Sequence, residues 1–93
     1  MNITELERIK GKLSTILILY KDGATISNRL IEKIPESRDT FYRLIKELQD
    51  QGIVTRNIKK ITDYGIQRDM MVWDLTDKGR KIAKLLDKID RLL

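Results

Sequence analysis

The sequence predicts a mainly α fold that carries one small β-hairpin (α+β), in the order helix, helix, helix, strand, strand, helix. Three observations predict it. Apolar residues recur at helical spacing in three stretches before Gly52. After Gly52 the period shortens towards two across "IVTRNIKKI" and "QRDMMVWDL", and the helical period returns after Thr76. The 93 residues, 41% hydrophobic and 35% charged, suffice for one hydrophobic core and not for two, so residues 1–93 read as a single folded domain.

The first helix is expected in "NITELERIKGKLSTILILYKDG". Thr4 and Glu7 have capping-box spacing, and Leu6, Ile9, Leu13, Ile16, Leu17 and Tyr20 follow at helical intervals. Gly11 weakens or bends it, and Asp22-Gly23 ends it. "ATISNRLIEKIP" predicts a short second helix with Ile26, Leu30, Ile31 and Ile34 on one face and Pro35 as the stop. A third helix, Ser37 to Gln51, has Ser37 as N-cap, the stripe Phe41, Leu44, Ile45, Leu48, and Gly52 as its left-handed terminator. The short turn between the second and third makes them a helix-turn-helix pair. "TDYGI" supplies turn chemistry at Asp63 and Gly65, which joins two strands rich in β-branched, aromatic and Met residues. Met70, Met71 and Trp73 are expected in the core rather than in a ligand box. The last helix, residues 77–93, starts behind Thr76 as N-cap with Asp77 in its first turn.

Composition narrows the function. With no cysteine, disulfides, thiolate metal sites and cysteine nucleophiles are excluded; with no histidine, the commonest general base and zinc ligand is missing. No phosphate-binding glycine loop, nucleophile elbow or paired-acid motif occurs, so no catalytic residue, metal or cofactor is expected. The longest apolar run is "ILILY" (residues 16–20), far short of a membrane span, and no signal peptide is legible. The expected setting is cytoplasmic, on the nucleoid when DNA is bound. The net charge of +5 gathers in two local clusters, Arg38, Arg43 and Lys46 in the third helix and Arg56, Lys59, Lys60 and Arg68 in the hairpin.

The chain resembles the small archaeal and bacterial winged-helix transcriptional regulators of the multiple-antibiotic-resistance and phenolic-acid-repressor kind. "SRDTFYRLIKELQDQGIVTR" is similar to their recognition helix running into the first wing strand. "VWDLTDKGRKIA" is similar to their last strand with the Leu-Thr-x-x-Gly lead-in to the final helix. The resemblance implies a winged helix-turn-helix fold, double-stranded DNA as partner, and transcriptional regulation as the role. It names no small-molecule effector.

Within that frame, Ser37, Arg38, Thr40, Tyr42, Arg43 and Lys46 are the candidate DNA contacts of the third helix. Arg grips guanine O6 and N7 with two donors, hydroxyls bond phosphates or bases, and a lysine neutralises a phosphate. Asn57, Lys59, Lys60, Tyr64, Gln67 and Arg68 are the candidates in the wing, residues 57–68, lying along the flanking backbone or in the minor groove. The plain alternatives are a solvated helix face and edge lysines that block aggregation. In the last helix Ile82, Leu85, Leu86, Ile89, Leu92 and Leu93 form a stripe longer than the core needs, and a second copy is its expected partner. The expectation is a homodimeric, sequence-specific DNA-binding regulator. The alternatives are a non-specific chromatin-type protein and a winged helix that binds only protein.

Overall fold

The computed structural model describes residues 11–34 and 37–93. Thr4, Leu6, Glu7 and Ile9 of the expected first helix, and Pro35 as the stop of the second, lie outside the described residues. The first described helix, α1 (Lys12–Asp22), begins directly after Gly11, whose φ of 97° is left-handed. Glycine tolerates that backbone where other residues do not, and Gly11 stands as the N-cap of α1. Ile16 and Leu19 of α1 enter the core, and Gly23 closes its end with an N–H donated to the Leu19 carbonyl.

Helix α2 (Ser27–Lys33) is the expected short helix, about two turns between Ile26 as N-cap and Ile34 as C-cap. Just before it, Thr25 forms an antiparallel bridge with Trp73, donating at 3.0 Å and accepting at 2.8 Å. Leu30 and Ile34 are buried, with Ile31 half-buried beside them.

Helix α3 (Arg38–Asp50) forms as its stripe predicts, with Phe41, Leu44, Ile45 and Leu48 all buried. Each contributes roughly 1.5–3 kcal/mol of apolar burial, which anchors the helix by one face and leaves the other to solvent. Its end is a Schellman motif. Gly52, at φ 74°, donates to the Gln49 carbonyl and Ile53 to that of Leu48.

Strands β1 (Val54–Asp63) and β2 (Ile66–Leu75) pair antiparallel in the register Val54↔Leu75 to Asp63↔Ile66. Only Tyr64 and Gly65 join them, both at positive φ (50° and 78°), the condition of a primed hairpin turn whose twist suits the strands. The root of the hairpin is core: Val54, Val72, Trp73 and Leu75 are buried. Met71, expected in the core, is 46% exposed and stands opposite Ile58, itself 70% exposed. The hairpin simply outruns the helices, so its outer half alternates without a core to face. Met70 is half-buried.

Helix α4 (Asp77–Leu92) closes the domain and packs on α1 and β2. Thr76 caps it, its hydroxyl accepting from the Gly79 N–H at 3.0 Å. Ala83 and Gly79 are buried, Ile82 and Leu86 pack against the core, and Asp87 is buried beside Arg91 at 3.1 Å. At Gly79 and Ala83 the inner surface of α4 is made of small side chains, which lets the helix approach closely there.

Candidate nucleic-acid interface

Burial of the Phe41–Leu48 stripe turns Arg38, Tyr42, Arg43 and Lys46 to solvent, and all four are exposed. Arg38, Arg43 and Lys46 make no ion pair among the described residues. Asp39 lies four residues before Arg43, a spacing at which the two could meet, yet no bond joins them. Asp39 serves the first turn, where a carboxylate favours the helix dipole. Glu47, the acid that most threatens a DNA-facing surface, is turned aside to Lys12 of α1, Nζ to Oε1 3.6 Å, with the lysine fully buried.

Two candidates differ from the rest. The Ser37 hydroxyl accepts from the Thr40 N–H at 3.2 Å and donates to the Thr40 hydroxyl at 2.9 Å. Ser37 is thus committed to capping, a role worth about 1 kcal/mol, and Thr40 is half-buried against it. Tyr42 stands edge-on to the buried Phe41 ring, centroids 5.5 Å apart, with its own ring exposed.

In the hairpin Asn57, Lys59, Lys60, Tyr64, Gln67 and Arg68 are all exposed. Register and alternation put Lys59 and Arg68 on one face and Lys60 and Gln67 on the other, with Asp69 directly opposite Lys60. Lys59, Lys60 and Arg68 make no ion pair among the described residues. The fourth base of this cluster, Arg56, behaves differently. Its guanidinium lies 5.3 Å from the centroid of the Trp73 ring, whose indole N–H donates to the Ser27 hydroxyl of α2 at 2.9 Å. Trp73 therefore ties the hairpin root to α2, with Arg56 stacked on its ring. Beyond the root, an open cleft of about 400 Å³ lined by Ile26, Arg29, Lys33, Ile61, Thr62 and Met70 separates the hairpin from α2. The outer half is held by its own ladder.

One cation was not singled out by its sequence setting: Arg29, exposed on α2 and without an ion pair among the described residues. The first helix of a helix-turn-helix pair crosses the DNA backbone, which makes Arg29 a phosphate candidate. A lone base in a short helix carries little signal until the neighbouring acids are placed. Lys33 pairs with Asp22, whereas Arg29 does not.

The six apolar candidates of the last helix divide. Ile82 and Leu86 pack against the core, whereas Leu85 (61% exposed), Ile89 (51%), Leu92 and Leu93 face solvent. Leu85, Ile89 and Leu92 keep i, i+4, i+7 spacing and form an uncovered seam.

A helix-turn-helix pair, a protruding two-stranded hairpin and a closing helix define the winged helix-turn-helix fold. The comparisons agree on it. The chain is similar in structure to the transcriptional regulator YodB from B. subtilis in its reduced form, with TM-score 0.68 and 20% identity over 96% of this chain and 81% of that one. A SlyA-like transcription regulator from Listeria monocytogenes superposes with TM-score 0.69 and 20% identity over 98% of this chain. The circadian clock associated protein Pex from anabaena does so with TM-score 0.60 and 20% identity, over 96% of this chain and 91% of that one. The chain spans 59% of the Listeria regulator's length. No family model and no curated protein matches the sequence. Among the described residues no helix is long and apolar enough to cross a membrane.

Proposed function

We propose that this protein is a homodimeric transcriptional regulator that binds double-stranded DNA sequence-specifically and without a cofactor. The observation that carries the reading is the outer face of α3. Arg38, Arg43 and Lys46 stand exposed and make no ion pair among the described residues, neither with Asp39 between them nor with Glu47, which pairs with Lys12. These bases are thus open to an external anion. Recognition helices read base edges from their N-terminal half, where these groups lie. The wing cations and Arg29 suit the flanking phosphates.

The test is a salt titration of binding to duplexes selected from a random pool, set against random duplexes. A steep salt dependence with a large specificity ratio supports the regulator. A steep dependence without preference points to a chromatin-type protein, and no binding to a winged helix that engages protein alone. Arg43→Ala is expected to weaken the selected duplex by about 1–3 kcal/mol and random duplex by less. Equal losses on both would move Arg43 from bases to phosphate.

The Leu85, Ile89, Leu92 seam supports a second copy as the partner, the usual outcome for a self-complementary apolar helix face. Leu85→Glu with Ile89→Glu is expected to yield monomers in sedimentation experiments, because a buried carboxylate in an apolar seam lacks a partner. Both side chains are exposed in the single chain, so the monomer should stay folded, melting below the wild type only by the stabilisation that dimerisation supplies. A wild type that sediments as a monomer at micromolar concentration would sink the dimer.

A further inference from the structure

We infer that the wing tip is an aromatic and apolar wedge, Tyr64 with Ile66, that enters the minor groove beside each half-site and unstacks a base step there. This rests on the DNA-binding reading and deepens it, from phosphate contact to deformation of the duplex.

Tyr64 is 98% exposed and holds the left-handed backbone, φ 50°, where Asn or Gly is favoured. The fold gains nothing from this side chain, and an aromatic ring kept bare at a position that disfavours it points to use elsewhere. Ile66, next beyond the turn, is 57% exposed. From Ile58 to Asp63 the ladder carries the tip roughly 16 Å outward at about 3.3 Å per residue, further than the approximately 7.5 Å depth of a minor groove. Width selects what can enter. Two strands lie about 4.8 Å apart before their side chains are added, and the groove is about 6 Å wide, so the two-residue turn fits and the ribbon behind it does not. The turn residue is thus the one that reaches the groove floor.

The charges behind the tip suit that position. Lys59 and Arg68 lie on one face of the ribbon and Lys60 on the other, all exposed, so each face offers cations to the phosphates of one groove wall. Asp69, opposite Lys60, tempers one side. Apolar side chains inserted between base steps kink DNA, and flexible pyrimidine–purine steps yield most readily. The wing would therefore add preference at positions that α3 does not touch.

The experiment places 2-aminopurine at successive positions flanking the half-sites of a selected duplex and compares the wild type with Tyr64→Asn. Asn-Gly is the favoured dipeptide for this turn, so the variant keeps its fold, which a thermal melt verifies. Wild type is expected to raise 2-aminopurine fluorescence at one flanking step; Tyr64→Asn should remove that rise and weaken binding by about tenfold. A rise of equal size with both proteins, or none with either while the duplex is bound, overturns the wedge and leaves the DNA-binding reading standing. Failure of the wild type to bind any duplex overturns both.

Discussion

Gly79→Ala is expected to destabilise the domain by roughly 3 kcal/mol and lower its melting temperature by on the order of 10–25 °C, while leaving the length of α4 unchanged. A Cβ built at Gly79 would lie 2.1 Å from the Ile53 carbonyl oxygen, 3.1 Å from its carbon and 3.2 Å from the Leu75 side chain. A backbone carbonyl cannot swing aside as a side-chain tip does. This one is also held from the other side, since Ile53 O accepts from the Thr76 N–H at 2.9 Å and the Thr76 hydroxyl at 3.2 Å. Relief requires that α4 lift away from the α3–β1 turn, which opens the packing of Ala83 behind it. Gly52→Ala is the control, because Gly52 has a left-handed φ of 74° but open space around it. Its cost is the backbone term alone, about 1–2 kcal/mol. Thermal melts of the two variants decide the matter; equal shifts would mean that α4 does not depend on this close approach.

Inserting about five base pairs between the half-sites of the target is expected to abolish most of the two-headed affinity, and inserting a full turn to restore part of it. If two copies meet through Leu85, Ile89 and Leu92 about a two-fold axis, their α3 helices are related by the same axis. The target is then a pseudo-palindrome. Half-site centres should lie about 10–10.5 base pairs apart, roughly 34–36 Å, or a whole multiple of that, because only then do both major grooves face the protein. The contacts around Gly79 make the spacing strict. The end of α3 is fastened to the start of α4 through the Thr76 hydroxyl on the Gly52 carbonyl at 2.5 Å and Lys78 on the Gln51 carbonyl at 3.0 Å. If α3 reads the groove and α4 pairs the copies, these bonds couple the two helices and leave little slack to follow a rotated half-site. Footprints and gel shifts on spaced duplexes measure this. Binding indifferent to spacing would show that the heads act separately, and the operator-binding dimer would have to be abandoned.

Local chemistry accounts for much of what could be read from residue order. Ser37 caps α3, Gly52 ends it, Gly65 sits in the hairpin turn and Thr76 caps α4, because caps and turns depend on the backbone preferences of single residues. The Phe41, Leu44, Ile45, Leu48 stripe likewise names its own inner face, and with it the exposure of Arg43 and Lys46 opposite.

Tertiary packing decided what periodicity leaves open. Whether Met71 is buried depends on where the helices stop beneath the hairpin, and the last-helix stripe splits into core and exposed residues according to the direction from which α1 approaches. Thr25, just before the second helix, is held in a bridge by Trp73, a residue distant in sequence. Glu47 is paired with Lys12, and the Arg56 guanidinium lies over the Trp73 ring. The demand for glycine at position 79 arises from the carbonyl of Ile53 in another element. Each of these is a contact between segments far apart along the chain, and periodicity within a segment holds no information about the atoms that another segment brings to its surface.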